Sequence, residues 1–279
     1  MARCIAHYRE QASSLKSGLI PGTQLTVSRL AFGTASLHHL FRSKQRQYLL
    51  CAAIDAGFSH LDTSPYYGNG VAELEIGRLL GNGARNITIA SKIGIYPPEG
   101  SAANTADMFA RKAAGKFWPR ASAPVRDWST RRAQTSLDQT LKRIRRDYLD
   151  ILYLHEPSYG CLDEVEVLEW LKAQRLCGKI RYWGLAGHSS QFRRWVDEQH
   201  PLTEILQVKD CLPNPGVASP LATRANQFRY GYLSSANNSL HNISVLEILR
   251  EALRINAVGS IIVSTRKVSR IENMAQAAH

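Results

Sequence analysis

The stretch Phe58-Ser59-His60-Leu61-Asp62-Thr63-Ser64-Pro65-Tyr66-Tyr67-Gly68 is a short apolar run that ends on a carboxylate and passes into a turn. Asp62 closes the run Phe58–Leu61, and Tyr67 follows five residues later in a segment rich in turn formers. The same grammar recurs twice. Ile87–Ser91 ends at Lys92, and Leu149–Leu154 ends at His155. Short runs that are poor in charge are expected of strands covered on their outer face by helices.

Working outward, the pattern alternates between such runs and helical stripes. Leu49, Ala52, Ala53 and Ala56 fall on one helix face, which Gly57 closes. Ala72, Ile76, Leu79 and Leu80 repeat the stripe before Gly81, and Ala133, Leu137, Leu141 and Ile144 form a third. Val245, Ile248, Leu249 and Ala252 form another. The intervening runs are Leu30–Phe32, Phe58–Leu61, Ile87–Ala90, Leu149–Leu154, Ile180–Ala186, Ile205–Val208, Phe228–Tyr232 and Ser260–Val263. Strand–helix alternation implies parallel units with right-handed crossovers. Eight units predict an α/β fold, a closed (β/α)8 TIM barrel, over residues 1–279 as a single domain. No Gly-x-Gly-x-x-Gly follows an early strand, which counts against an open dinucleotide-binding sheet.

Three segments stand outside the repeat. Gly18–Val27 reads as an amino-terminal β-hairpin. Tyr96 to Ser129 reads as a long loop after the third strand, a lid or a mobile surface insertion. Cys211–Ala225 carries Pro213, Pro215 and Pro220, which an outer helix does not accommodate, so the unit after the sixth strand is expected to be shortened.

In a barrel of this kind, the carboxyl ends of the strands carry the chemistry. Asp62, Tyr67, Lys92 and His155 are therefore expected to converge as the catalytic group. A free phenol, with a pKa of about 10, is a weak acid at neutral pH. A nearby ammonium would lower that value, so Lys92 is expected to do this for Tyr67 while Asp62 pairs with Lys92. His155 would donate a hydrogen bond to a substrate oxygen.

Composition narrows the setting. The chain has 279 residues, 44% of them hydrophobic, and no apolar run long enough to span a bilayer. Met1–Arg9 lacks the apolar core of a secretory signal. Five scattered cysteines, with no Cys-x-x-Cys pair, argue against a disulfide framework or zinc site and for a cytoplasmic setting. The net charge of +12 is interspersed along the chain, as on a basic solvated surface, and no nucleic-acid or membrane partner is expected.

Four segments, in order, resemble the aldo-keto reductase family. His60–Gly68 resembles the signature around its aspartate and tyrosine, and Ala90-Ser91-Lys92 the segment of its lysine. Tyr148–His155 resembles the segment of its histidine, and Gly178–Gly184 its fifth strand. The resemblance runs from about Leu25 to Arg270 and implies reduction of a small aldehyde or ketone by a nicotinamide cofactor, without metal. The family spacing of five from the aspartate selects Tyr67 over Tyr66, and the family analogy makes the hairpin a plug for the bottom of the barrel.

The resemblance also implies cofactor contacts. Tyr230, in the run Arg229-Tyr230-Gly231-Tyr232-Leu233, matches the aromatic that stacks on nicotinamide, with Gly231 and Leu233 beside it. Gln207 matches a position that bonds the carboxamide. Ser264, Thr265, Arg266 and Arg270 fall in the segment that meets the adenosine phosphate, which favours NADP (NADPH) over NAD. There Ser264 replaces the usual lysine, and Arg266 and Lys267 could restore the charge. Ala186-Gly187 stands where the family has Ser-Asn, with His188 as a candidate replacement. This departure and the shortened unit leave a second reading open, a catalytically weak NADP(H)-binding barrel that serves as a regulatory or partner-binding subunit. The physiological substrate and the oligomeric state are not legible in the sequence.

Overall fold

Eight short strands close into one parallel barrel in the computed structural model, which describes residues 15–84, 86–118, 122–212, 227–234 and 243–279. In chain order the strands are Leu30–Gly33, His60–Asp62, Thr88–Ile93, Leu149–His155, Ile180–Gly187, Ile205–Lys209, Phe228–Tyr230 and Ser260–Val263. Each pairs in parallel with the next, and the last returns to the first through Ile261↔Leu30, Ile262↔Ala31 and Val263↔Phe32. The expected (β/α)8 barrel is therefore the observed fold.

Strand limits differ from the sequence expectation where local hydrogen bonding intervenes. Phe58 does not belong to the second strand, because its N–H still donates to Ala53 O at the end of the preceding helix, Ser43–Asp55. Its ring packs edge-on against Phe32 instead. The third strand runs on through Lys92 to Ile93. The seventh ends at Tyr230, where Gly231 turns the chain at φ 105°.

Apolar side chains divide between two places. The larger cluster lies between barrel and helices and includes Leu49, Ile76, Leu137, Leu152, Leu185 and Leu249. The smaller fills the barrel interior, where Ile20, Leu25 and Val27 pack with Ile151, Tyr153, Ile205 and Phe228. Ile20 to Val27 belong to the hairpin in which Ser17–Leu19 pairs antiparallel with Thr26–Ser28. The hairpin thus stoppers the amino-terminal end of the barrel.

The long insertion is not a bare loop. Ile95–Tyr96 pairs antiparallel with Val125–Arg126, and Thr105–Ala114 between them is a helix. Asn104 caps that helix by accepting from Asp107 N at 2.8 Å, Arg111 pairs with Asp107 one turn on, and Met108 is buried. The alanine-, arginine- and lysine-rich composition read as a loop is also good helix-forming composition. The expected shortened unit, beyond Cys211 and Leu212, and Met1–Arg9 lie outside the described residues. Among the described residues, no helix is long and apolar enough to cross a membrane.

Helix Val71–Gly81, which follows the Tyr67 turn, packs closely on helix Thr130–Ile144. Gly77 makes this possible, since a Cβ there would lie 2.1 Å from Arg143 O. On the same helix Glu73 is fully buried and accepts from Ser91 Oγ, Thr140 Oγ1 and Arg143 Nε at 2.9, 2.9 and 2.6 Å. Gly77→Ala must push the two helices apart. It should cost at least about 1–3 kcal/mol, the range for overpacked cores, in the midpoint of chemical denaturation. An unchanged midpoint would show that the helices can part freely.

His60 supplies a pH dependence. Its Nδ1 lies 2.7 Å from Thr88 Oγ1, its ring lies against Phe228, and its buried Nε2 has no hydrogen-bond partner among the described residues. Burial first, and the Lys92 charge second, push its pKa down to about 3. Between that value and the ordinary 6.5, the unfolded chain holds a proton that the folded one does not. Stability is thus fully present above pH 6.5 and is lost as pH falls through this window. At pH 5 the loss should be about 2 kcal/mol from this residue. Denaturation at pH 7 and pH 5 should show the drop, and His60→Asn should shrink it.

Candidate active site

Lys92 is the centre of the site. It stands on the third strand with 2% exposure, and its Nζ lies 2.7 Å from both carboxylate oxygens of Asp62 and 2.9 Å from Thr63 O. Gln207, on the sixth strand, donates from Nε2 to Asp62 Oδ1 at 2.6 Å. The chain supplies these groups at neighbouring strand ends because Asp62 pairs with Ala90 in register, two residues before Lys92. Burial lowers the Lys92 pKa, while Asp62 acts in the opposite direction. A buried ammonium needs such compensation to persist.

Tyr67 sits above this pair. Lys92 Nζ lies 5.0 Å from the centre of its ring, and the His155 ring meets it edge-on at 6.2 Å. The turn that carries it is fixed by Tyr67 N donating to Ser64 O at 3.0 Å. The sequence predicts a lowered phenol pKa, and the structure reverses that direction. Burial raises it well above the ordinary 10, and the Asp62 and Glu156 charges add to the effect. Two Asp62 oxygens already hold the Lys92 charge, so little of it reaches the phenol. In this state Tyr67 is a phenol that keeps its proton.

Burial, with the Lys92 and Arg126 charges behind it, drives the His155 pKa well below 6.5. The ring is therefore neutral at pH 7, and its buried Nδ1 has no hydrogen-bond partner among the described residues.

Asp62, Tyr67, Lys92 and His155 line one cavity of about 530 Å³ at the carboxyl ends of the strands. Gln207, Tyr230, Gly231, Leu233 and Ser264 line it too, as does Tyr66. Thr265, Arg266 and Arg270 do not border the cavity but follow Ser264 just beyond the last strand. Thr265 Oγ1 accepts from Lys267 N at 3.1 Å, which shapes the turn. Arg266, Lys267 and Arg270 are exposed and make no ion pair among the described residues. Ala186 lines the cavity with a methyl group only. His188 does not replace the missing donors, because it is exposed, lies off the cavity and starts the next helix, where its N–H donates to Gln191 Oε1 at 3.1 Å.

Sequence reasoning missed three residues near the site. Glu156 and Arg126 both border the cavity, and the buried Glu73 holds Ser91 beside Lys92. For Glu156 the signal was present, a charge directly after His155 at a strand end. Nothing in the sequence linked Arg126 to it.

The model of the Aldo/keto reductase family matches residues 29–210. L-galactose dehydrogenase of Arabidopsis thaliana is 27% identical over 170 residues, which is 59% of this chain and 46% of that protein. The match thus spans less than half of that relative. Among solved structures, a glycerol dehydrogenase from Gluconobacter oxydans superposes with a TM-score of 0.73 at 18% identity, covering 96% of this chain and 90% of that one. A Bombyx mori aldo-keto reductase in complex with NADP superposes with a TM-score of 0.64 at 15% identity, covering 95% and 88%. The structural likenesses concern the fold; the sequence match over the barrel's first six strands carries the classification, and the chain belongs to the aldo-keto reductase family.

Proposed function

We propose that this protein interconverts a small aldehyde or ketone and its alcohol with a nicotinamide cofactor, NADP(H) in preference to NAD(H), and that Tyr67 is the proton donor. The observation that carries this reading is a single cavity with two unlike sets of lining residues. Tyr67, His155 and the Lys92–Asp62 pair make up one, and Gln207, Tyr230, Gly231, Leu233 and Ser264 the other. Its volume suits a small molecule. The second set fits a nicotinamide, with an aromatic face from Tyr230 and a polar end from Gln207, and Arg266, Lys267 and Arg270, which make no ion pair among the described residues, lie beyond the last strand for a phosphate. Bound there, the cofactor supplies or accepts a hydride.

The chain's own residues do the rest. Tyr67 keeps its proton on Oη through neutral pH and passes it to the carbonyl oxygen as that oxygen gains charge. Neutral His155 orients the same oxygen by a hydrogen bond. Lys92 counterbalances the phenolate left behind, and Asp62 holds Lys92 in place. A cytoplasmic setting fits the five scattered cysteines, none of which forms a Cys-x-x-Cys pair.

Tyr67→Phe keeps the ring and removes the transferable proton. Carbonyl reduction should fall by roughly two to four orders of magnitude, the span of general acid catalysis, with cofactor binding retained. Steady-state rates over an aldehyde panel and fluorescence titration with NADPH measure the two effects. Near wild-type turnover would remove Tyr67 from its role. Tight NADPH binding by the wild type with no repeated turnover would favour the regulatory-subunit reading.

Arg270→Ala should weaken NADPH binding by about tenfold or more, as expected for loss of a charge-assisted arginine–phosphate contact, and leave NADH nearly unchanged. Titration of both cofactors against both proteins decides this. Equal losses would make Arg270 structural, and tighter NADH binding by the wild type would overturn the NADP preference.

A further inference from the structure

A second cavity, of about 320 Å³, lies between the insertion and helix Thr130–Ile144. Among the described residues it shares no lining residue with the catalytic cavity. Pro65 and Asn69 border it, while Tyr66 and Tyr67 of the same turn border the catalytic one. Tyr96 and the chain beyond it, as far as Ala103, form the insertion's side, and Arg132, Ser136 and Arg143 stand on the helix. The chemistry set out above makes no use of this space.

Its donors are largely unspent. The half-buried Arg132 places its guanidinium 5.1 Å from the centre of the Tyr96 ring, and its side chain makes no ion pair or hydrogen bond among the described residues. It also stands in the first turn of its helix, where the helix dipole disfavours a positive side chain. Local stability therefore gives no reason for a cation at this position, whereas a bound anion does. Arg143 is committed on one side only. Its Nε donates to the buried Glu73 at 2.6 Å, while Nη1 and Nη2 meet Gln139 and Thr140 at 3.5 Å, beyond the usual hydrogen-bond range. Its stem packs under the Tyr67 turn, since a Cβ at Gly70 would lie 3.1 Å from Arg143 Nε. Ser136 is 6% exposed, and its buried Oγ has no hydrogen-bond partner among the described residues. A buried hydroxyl in that state is uncommon and calls for a partner.

Two guanidinium groups and a hydroxyl thus border one small space. Glu73 offsets the charge of Arg143, so the net attraction comes from Arg132, and Arg143 adds donors. Glu99 is the single acid bordering the cavity among the described residues, and it is exposed. A carboxylate or phosphate can accept from a planar guanidinium through two oxygens and from a hydroxyl besides. We propose that this cavity is a second ligand site, held by Arg132, Arg143 and Ser136, and that it takes a small oxyanion, a carboxylate or a phosphate. Pro65 and Asn69 set such an anion against the turn that carries Tyr67, apart from the catalytic cavity.

The test titrates the full chain with inorganic phosphate and with succinate by isothermal titration calorimetry, at fixed ionic strength and neutral pH. Saturable binding of at least one is expected, and the tighter of the two identifies the group taken. Arg132→Met should weaken that binding about tenfold or more, as for loss of a charge-assisted contact. Ser136→Ala should weaken it about threefold, as for a neutral hydrogen bond. Glu99→Gln removes a repelling charge and should tighten it about twofold. Arg270→Ala, which alters the candidate phosphate contact beyond the last strand, should leave it unchanged. Glu99 is exposed, so its variant keeps the test open if Arg132→Met does not fold. No saturable binding of either anion would overturn the proposal. So would weaker binding in Glu99→Gln. Binding that survives Arg132→Met and is lost in Arg270→Ala would overturn it too, because the anion would then sit beyond the last strand.

Discussion

An ammonium with 2% exposure is tolerable only if its charge is met, and at Lys92 it is met by both oxygens of Asp62 and by Thr63 O. Much of the site's arrangement follows from that requirement. Asp62 must stand at the neighbouring strand end, which fixes the register of the second and third strands. Its Oδ1 also draws in Gln207 from across the barrel. Burial sets the protonation states of three neighbours, and the pair reinforces them: the Lys92 charge helps keep His60 and His155 neutral, and the Asp62 charge helps keep Tyr67 protonated.

Support for that pair comes from behind the strands. Glu73, buried on the helix that follows the Tyr67 turn, binds Ser91 and reaches Thr140 and Arg143 on another helix. Two residues on, Glu75 faces the helix Ser43–Asp55 and binds Arg46, Ser43 and Gln47. Removing one partner from such a cluster leaves a buried charge exposed to an apolar surround, which is why clusters of this kind are stiff. The turn bearing Tyr67 is therefore tied to a rigid layer rather than to a free loop.

The barrel was legible because its signals are local. Charge-poor runs alternate with 3.6-period stripes, and each strand of interest ends on a polar residue. Strand limits were less so, because they depend on which helix still holds a backbone donor, as Ala53 O holds Phe58 N. The insertion after the third strand was legible but the helix inside it was not, because alanine and arginine serve loops and helices alike, and only the Asn104 cap and the burial of Met108 decide between them. The direction of the Tyr67 pKa was also beyond the sequence. The nearest cation is present as expected, yet its charge is already shared with a carboxylate, and burial acts the other way. Arg126 and Glu156 are 30 residues apart, with no periodicity to join them.

The stopper formed by Ile20, Leu25 and Val27 has a kinetic consequence. Among the described residues, a barrel sealed at its amino-terminal end leaves this cavity to open at the rim where Arg126 and Glu156 stand. On the function proposed above, a cofactor and a substrate that meet inside cannot arrive from opposite sides. They queue: whichever lies deeper enters first and leaves last, and the shallower one blocks its exit for as long as it stays.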